Sequence, residues 1–254
     1  MKKEVILSCM LSAALPFFAS CKGANGAAEE GDFSSQAAWK QAAALESSIQ
    51  TTAFPERTYL ITDFGAQPDM PEAPCHDAIN LAIVTCSQQG GGTVIVPAGT
   101  FYTGPLTLKS NVNLCLEDSA SVLKFVTDPE LYLPAVLTRW EGIDCYNMHP
   151  LIYAYGETNI AITGKGIIDG QGSMEYWWPM CGAKKYGWEE GMIGQNCGGR
   201  AKLLAWGESG EPIYKRVLSV EDGMRPQLVN LSRRARVLMA GGAMLTAPFW
   251  PLHP

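Results

Sequence analysis

The sequence lacks a hydrophobic run long enough to cross a membrane as a helix. Its longest apolar stretch, residues 5–19, falls short of the ~20 residues that such a helix needs. Charged residues are scarce, at 17% of the 254 positions against 47% hydrophobic, which excludes an intrinsically disordered chain. The net charge of -6 argues against binding to nucleic acid, itself a polyanion. The chain is therefore predicted to form a globular body with a hydrophobic core.

The motifs of several enzyme classes are missing as well. No Cys-x-x-Cys pair occurs and the three histidines do not cluster, so no metal site and no cofactor is predicted. No Gly-x-Ser-x-Gly nucleophile elbow occurs. Residues 162–166 fail as a phosphate-binding loop, because Asn159 and Gly166 stand where the Walker pattern requires Gly and Ser or Thr. Cys181 and Cys197 flank a Gly-rich loop and are predicted to form a disulfide.

The N-terminal residues have the layout of an export signal. Lys2 and Lys3 precede the apolar stretch, and small residues lead to Cys21. The segment Phe-Ala-Ser-Cys at residues 18–21 resembles the lipobox of bacterial lipoproteins, although that family usually has Leu in place of Phe18. We expect residues 1–20 to be a signal peptide, Cys21 to be lipidated and residues 21–33 to be a tether. The protein is then exported and held at the bacterial cell envelope by its lipid anchor, periplasmic or on the outer surface, with ordinary secretion as the alternative.

The hydrophobic pattern predicts helices at the beginning of the chain and short strands after it. Residues 34–50 and 77–88 have helical spacing, residues 59–64 alternate like a strand, and Gly90–Gly92 stop the second helix. Without helices between the later strands, a doubly wound sheet is excluded, which leaves a sandwich or a stacked coil. Asn at the corners (Asn111, Asn113, Asn159 and Asn230) favours the coil, because Asn tolerates left-handed backbone. The further strands are predicted at residues 93–96, 100–102, 106–108, 112–116, 121–125, 151–154, 159–162, 166–168, 227–231 and 236–239.

Four tryptophans lie in a Gly-rich insertion at residues 170–210, which follows Asp169. Exposed indole rings there would stack on sugar rings, whereas buried ones would only pack the insertion, and the sequence leaves both interpretations open. Asp169 itself is interpreted as a structural turn residue. The four are Trp177, Trp178, Trp188 and Trp206.

An ordered series of short segments runs through the chain, beginning with Asp-Phe-Gly-Ala and ending with Ala-Pro-Phe-Trp-Pro-Leu-His-Pro. The segments are residues 63–66, 90–99, 103–112, 150–153, 162–172, 225–227 and 247–254. Together they resemble the polygalacturonases of glycoside hydrolase family 28. The resemblance implies an all-β chain that folds as a right-handed parallel β-helix of the pectin-lyase-like kind. Residues 34–254 would be the N-terminal portion of that domain, with capping helices at its start and its C-terminus truncated.

The same resemblance implies a function, which is inverting hydrolysis of a pectic polysaccharide, either galacturonan or rhamnogalacturonan, by a monomeric enzyme. In this family the catalytic aspartates follow a Phe-Trp-x-x-His-Pro landmark, which this sequence reaches at residues 249–254. No Asp-Asp, Asn-Thr-Asp or Gly-His-Gly occurs, so no catalytic residue is assigned and this chain alone is not expected to be active. Trp250 and His253 are predicted to bind substrate. The alternatives are a non-catalytic surface polysaccharide-binding module and a pectate-lyase-like enzyme.

The first testable prediction concerns lipidation at Cys21. Replacing Cys21 by Ala removes the only thiol at the lipobox position, so the protein should leave the membrane fraction for the soluble fraction. Cell fractionation with an immunoblot measures this, and Cys197→Ala serves as the matched control. Unchanged membrane association of the Cys21 variant would show that the protein is not anchored through this residue.

Overall fold

The computed structural model describes residues 35–233 and 235–253. The chain divides into two compact units, residues 1–49 and 50–254. The predicted signal peptide, the tether and Cys21 lie outside the described residues, and they stay predictions. Within the described ranges, no helix is both long and apolar enough to cross a membrane.

Two of the helices agree with the sequence pattern. Helix α1, Ser35–Ser48, lies in the first unit and corresponds to the helix predicted at residues 34–50. Helix α2, His76–Gln88, buries Ile79, Ala82, Ile83 and Cys86, all on the predicted apolar face. Helix α3, Gly199–Ser209, was not expected, since helices were predicted only at the beginning of the chain. Its two glycines, one at the first position and one inside, and its weak apolar periodicity explain why the sequence does not reveal it.

The strands of the second unit are short and mostly parallel. Two of them, β10 and β12, are long because each bends and continues along a second face. The strands are β1 Thr58–Leu60, β2 Gly92–Val96, β3 Gly99–Thr103, β4 Leu106–Thr107, β5 Val112–Leu116, β6 Ser121–Phe125, β7 Val136–Trp140, β8 Ile143–Asn147, β9 Ile152–Tyr155, β10 Thr158–Asp169, β11 Val229–Ser232, β12 Ala235–Leu245 and β13 Leu252–His253.

The strand pairing describes a parallel β-helix with three faces. The first face stacks β1, β2, β5 and the first halves of β10 and β12, and the second stacks β3, β6 and the second halves of the same two strands. The third face stacks β4, β9, β11 and β13. Successive coils therefore lie one on another, which confirms the stacked coil over the sandwich.

The core lies inside the coils, because the same position of each coil points inward. On the first face Val94, Leu114, Ile162 and Met239 are cross-strand neighbours, and the first three are buried. The third face continues this pattern with Leu106, Ile152 and Val229. Burying apolar area at ~25 cal/mol per Å² makes these inward columns the main source of stability.

One corner of the coil has left-handed backbone at the same position in four successive coils. Gly91, Asn111, Asn159 and Arg236 have φ angles of 97°, 64°, 56° and 54°. Asn159 Nδ2 donates to Asn111 Oδ1 at 3.0 Å and to the backbone carbonyl of Ala53 at 2.8 Å. The corner role predicted for Asn111 and Asn159 is confirmed, because a side-chain amide links one left-handed corner to the next.

The structure corrects several local predictions. Asn113 and Asn230 lie within β5 and β11, and they are not corners. Only the first part of residues 59–64 is a strand, since Ile61–Phe64 forms a 3₁₀ turn that ends at left-handed Gly65. The strands predicted at residues 159–162 and 166–168 are one strand, β10, because the backbone bends at Gly164 without leaving the sheet.

The predicted Cys181–Cys197 disulfide is wrong. Both cysteines are free, and their thiols face different neighbours. The Cys197 thiol lies 3.7 Å from the carbonyl oxygen of Met192, whereas Cys181 lines a cavity beside Arg225. The two cysteines flank a Gly-rich loop, but this loop does not bring their sulfur atoms together.

Two excursions leave the coils on the side of the third face. The antiparallel hairpin of β7 and β8 turns at Glu141 and Gly142, which both have positive φ. The segment between β10 and β11 carries α3, and the two excursions share a small second core. Its fully or almost fully buried residues are Trp140, Cys145, Leu203, Leu218 and Met224. This apolar cluster therefore fixes the hairpin to the segment between β10 and β11.

Gly164 offers a test of the coil bend. A Cβ there would lie 1.9 Å from the carbonyl oxygen of Leu116 on the preceding coil, whereas a Cβ on Gly156, also at positive φ, meets nothing within 4 Å. We expect Gly164→Ala to lower the free energy of unfolding by at least about 3 kcal/mol, and the control Gly156→Ala by about 1 kcal/mol, the cost of left-handed backbone alone. Urea unfolding measures both values. Equal losses would mean that the coils do not approach each other closely at this bend.

Candidate functional site

A column of polar side chains crosses the outside of the third face. Thr107, Tyr153, Asn230 and His253 are successive cross-strand partners on β4, β9, β11 and β13, and we name them the outer ladder. They point outward because side chains alternate along a strand and their neighbours belong to the inward column. Parallel stacking in register therefore aligns residues that are distant in the sequence.

The β7–β8 hairpin lies over the outer ladder, and three of its residues are hydrogen-bonded to the coils. The hydroxyl of Tyr153 donates to the Leu137 carbonyl at 2.5 Å, and Asn230 Nδ2 donates to Thr138 Oγ1 at 2.8 Å. Gln227, just before β11, donates its amide to the Arg139 carbonyl at 3.0 Å. Three consecutive hairpin residues are thus bonded to the coil, so the hairpin forms a fixed wall beside the outer ladder.

A groove of about 280 Å³ opens between this hairpin and the ends of β9 and β11. We call it the hairpin groove. It combines an aliphatic and aromatic surface with several polar groups, as small-molecule sites commonly do. Its lining residues are Leu137, Thr138, Arg139, Asp144, Tyr155, Ile213, Ser232 and Arg233.

The hairpin groove has a net positive charge, from two guanidinium groups and one carboxylate. Arg139 donates to the Gly142 carbonyl at 2.9 Å, and its Nε lies 3.8 Å from a carboxylate oxygen of Asp144. Arg233 lies over the ring of Tyr155, with its Cζ atom 5.7 Å from the ring centroid. Because the Arg139–Asp144 ion pair is long and half-exposed, the Arg139 guanidinium keeps N–H donors available to an anion.

Trp250 and His253, the predicted substrate-binding residues, stack on each other beside this region. Their ring centroids are 5.1 Å apart at an interplanar angle of 10°. The stack continues through Phe249 to Trp140, with centroid separations of 4.8 and 4.6 Å, and we name these four rings the aromatic stack. Trp250 is 40% exposed, so its indole presents an apolar edge to solvent, whereas Trp140 and His253 are buried and Phe249 is half-buried.

His253 is held as a neutral imidazole. Burial lowers the pKa of His253 below its ordinary value, and the charge of Arg139 lowers it further. The Nδ1 atom lies 3.3 Å from Asn230 Nδ2, and the side-chain oxygen of Asn230 accepts a hydrogen bond from the Ser232 hydroxyl. The amide therefore donates to Nδ1, which places the remaining proton of the neutral ring on Nε2. In the part of the chain that the structure describes, Nε2 has no hydrogen-bond partner.

The groove does not bring a pair of carboxylates together. Asp144 is its only acidic lining residue, and inverting hydrolysis needs two carboxyl groups about 6.5–9.5 Å apart. Asp169 has the structural role predicted for it, since its carboxylate accepts from the Gln171 backbone and the Thr246 hydroxyl. Among the described residues no group of three or more His, Cys, Asp or Glu side chains is arranged to hold a metal ion.

The four tryptophans of the insertion differ in role, since some pack the protein and others line surface cavities. Trp177 is buried in the main core and meets Tyr132 edge-on at 5.5 Å, so it packs the protein and is not available to a sugar. Trp206 packs against the second core, with the ammonium of Lys202 4.9 Å from its ring centroid. Trp178 and Trp188 each line a surface cavity.

Sequence reasoning missed the residues that line the hairpin groove. Arg139, Tyr155 and Arg233 belong to no motif, and β7–β8 was not predicted. One signal was available, because residues 136–147 carry two alternating segments around Glu-Gly, and a two-residue turn with Gly is typical of hairpins. The substrate-binding role of Trp250 and His253 was predicted from their landmark, whereas their stacking on each other and the contact of His253 with Asn230 were not.

Comparison with known proteins finds several polygalacturonases among the similar proteins. No family model matches the chain. A hyperthermoactive exopolygalacturonase from Thermotoga maritima is 40% identical, with a TM-score of 0.79 over 84% of this chain and 47% of that chain. An exo-poly-alpha-D-galacturonosidase from Dickeya chrysanthemi is 35% identical over 130 residues, 48% of this chain and 21% of that protein. The family 28 exopolygalacturonase of Yersinia enterocolitica, at 24% identity and a TM-score of 0.50, covers 76% of this chain and 36% of that chain and shares the fold.

The chain resembles the polygalacturonases. The segments that carried this resemblance in the sequence lie within the β-helical unit, and the fold is the right-handed parallel β-helix that they implied. The chain spans about half the length of the Thermotoga structure and about a fifth of the Dickeya protein. The lipoprotein signal stays a prediction.

His149, in the turn before β9, gives a pH-dependent prediction. Its Nδ1–H donates to the Pro150 carbonyl at 2.5 Å, its Nε2 lies 3.0 Å from Thr107 Oγ1, and burial lowers the pKa of His149 below its ordinary value of about 6.5. Because the unfolded chain takes up the proton first, stability should fall as the pH drops below about 6.5 towards the folded pKa. Urea midpoints at pH 7 and pH 5 should differ less in His149→Gln than in the unchanged protein. His76→Gln is the control, and an unaltered pH effect in His149→Gln would contradict the assignment.

Proposed function

We propose that this chain provides the coils and a carbohydrate-binding face of an enzyme that hydrolyses galacturonan with inversion of configuration. The observation that supports this most directly is the hairpin groove, with its two guanidinium groups and one tyrosine ring on a β-helix that resembles the polygalacturonases. Galacturonan carries one carboxylate on each sugar ring. A cleft for it therefore needs cations spaced along an aromatic and hydrogen-bonding wall.

The charges of the groove fit this substrate class better than a neutral polysaccharide. Arg139 and Arg233 come from the hairpin and from the end of β11, so they line the groove from different elements. Charge-assisted hydrogen bonds from guanidinium to carboxylate are stronger than neutral ones, and a forked donor also fixes orientation. The ring of Tyr155, with Arg233 over it, adds an aromatic surface to the same wall.

Trp250 and His253 extend the proposed binding face. The exposed edge of Trp250 suits the apolar side of a pyranose ring. The Nε2–H of neutral His253 is a donor for a sugar hydroxyl or carboxylate, and the contact with Asn230 fixes its orientation. We assign both residues to substrate binding, and the chemical step to two carboxylates as in other inverting glycosidases. The enzyme is proposed to be exported and anchored through Cys21.

The test of the proposed function compares binding of trigalacturonate with binding of its neutral counterpart, trigalactose. The double variant Arg139→Gln, Arg233→Gln removes both cations from the groove, and at low salt we expect at least about a tenfold loss of affinity for trigalacturonate. Arg200→Gln is the matched control, since Arg200 pairs with Glu141 and does not line the groove. Isothermal titration calorimetry measures both ligands. Unchanged affinity in the double variant would refute the binding role of the groove.

The products separate the remaining alternatives. The protein isolated from its own cells is incubated with polygalacturonate, and new reducing ends are measured together with ultraviolet absorbance. Reducing ends without absorbance identify the hydrolase, and unsaturated products that absorb identify a lyase. Binding without either product identifies a non-catalytic module and would refute the proposed reaction.

A further inference from the structure

A series of hydrogen bonds runs from the backbone of the β7–β8 hairpin to the imidazole of His253. The side-chain amide of Gln227 donates to the Arg139 carbonyl at 3.0 Å, and the Thr138 hydroxyl donates to Gln227 Oε1 over a longer 3.5 Å. Asn230 Nδ2 donates to Thr138 Oγ1 at 2.8 Å and lies 3.3 Å from His253 Nδ1. We name these five groups the hairpin relay, because it joins the hairpin to the end of the outer ladder.

The side chains of the hairpin relay are enclosed. Gln227 and Asn230 are fully buried, Thr138 is 3% exposed and His253 is 7% exposed. Buried polar groups are costly to leave unpaired, and in a chain of hydrogen bonds each group restricts the orientation of the next. The orientation of each side chain in the relay is therefore set by its neighbours.

The direction of the hairpin relay is decided at its hairpin end. A backbone carbonyl only accepts hydrogen bonds, so the Arg139 carbonyl requires the amide nitrogen of Gln227 to face it. Gln227 then turns its oxygen to Thr138, whose hydroxyl donates there and is left to accept from Asn230. The amide nitrogen of Asn230 therefore also faces His253, and Nδ1 of the neutral ring becomes the acceptor.

The reverse orientation of the Asn230 amide leaves a buried oxygen without a partner. With the amide turned over, its oxygen would face Thr138 and His253, and the ring would carry its proton on Nδ1. The single proton of the Thr138 hydroxyl would then have two acceptors, Asn230 Oδ1 and Gln227 Oε1, and one of them would stay unpaired. Ser232 agrees with the observed orientation by donating to Asn230 Oδ1, but a hydroxyl can also accept and so does not exclude the reverse.

We propose that Gln227 and Thr138 are positioning residues, which act through Asn230 to hold the proton of His253 on Nε2. A neutral imidazole carries its proton on either nitrogen, and the hydrogen bond at one nitrogen decides which. The relay thus makes Nε2–H a constant donor beside the half-exposed Trp250. A ligand atom that meets it has to be an acceptor. That consequence rests on the proposed function, whereas the direction of the relay rests on its hydrogen bonds alone.

The position of this proton can be measured directly, since the chain has only three histidines. With isotope-labelled histidine, a long-range proton–nitrogen NMR correlation distinguishes Nδ1–H from Nε2–H rings. The variants His76→Gln and His149→Gln identify the signals of the other two. At about pH 8, above the ordinary pKa of histidine, we expect the Nε2–H form of His253 to exceed the Nδ1–H form by at least about tenfold.

Gln227→Met tests positioning at a distance from the ring. It removes the acceptor opposite Thr138, so the hydroxyl becomes free to donate to Asn230, and the Nε2–H preference should fall below about threefold. Gln227→Glu is the matched control. Its carboxyl group, ionised or protonated, keeps an acceptor opposite Thr138 and should retain the preference. A role in packing alone would change stability in the Met variant without moving the proton.

A second pair of variants keeps the test decisive if Gln227→Met impairs folding, which circular dichroism and a thermal melt would reveal. Thr138→Val interrupts the relay one step nearer the ring and should also lower the Nε2–H preference, whereas Thr138→Ser keeps the hydroxyl and should restore it. An unaltered proton position in the folded Met and Val variants, or an equal shift in their controls, would overturn the proposal.

Binding of trigalacturonate separates this proposal from the proposed function. If the two tautomers become equally populated, only half of the molecules present the donor, and the apparent affinity of Gln227→Met should fall about twofold relative to Gln227→Glu. Calorimetry measures both variants. A shifted proton with unchanged affinity would retain the relay and overturn the role of His253 in binding. Reduced affinity without a shifted proton would overturn the relay.

Discussion

The register between successive coils is the constraint on which the rest of this structure depends. Each coil pairs in parallel with the next, so equivalent positions lie one above another. Inward positions then form the columns of the core, and outward positions form the outer ladder from Thr107 to His253. A slip of one residue would exchange these two sets, because side chains alternate along a strand. The left-handed corner from Gly91 to Arg236 and the bend at Gly164 hold the register where the chain changes direction.

The candidate binding surfaces exist because excursions from this regular coil fold back onto it. Three hairpin residues, Leu137 to Arg139, are bonded to the coil, and the second core around Trp140 ties the hairpin to the insertion. The hairpin groove thus has preorganised walls, which lowers the entropy cost of ordering it around a ligand. The aromatic stack runs from the hairpin to the outer ladder.

Electrostatics gives these surfaces a common character although the chain as a whole has a net charge of -6. Arg139 and Arg233 line the hairpin groove, and among the described residues that line it only Asp144 is acidic. Local positive charge attracts anions at close range, whereas the net negative charge of the protein repels them at longer range. The neutral imidazole of His253 follows from the same arrangement, since burial and the charge of Arg139 both lower its pKa. Binding of uronic acids is the proposed function because it connects these observations.

The sequence by itself determined the repeated elements, because their signals are local. Helix α2, most of the strands and the Asn111 and Asn159 corners follow from apolar spacing and backbone preference, and the ordered segments pointed to the β-helix. Tertiary structure alone decided the hairpin groove and helix α3. Arg139 and Arg233 are far apart in the sequence, and they line the same groove only because the coil brings their segments close together in space. Which residues face each other across such excursions depends on where each loop folds back onto the coil. No short stretch of sequence encodes that position, because it depends on contacts with distant parts of the chain.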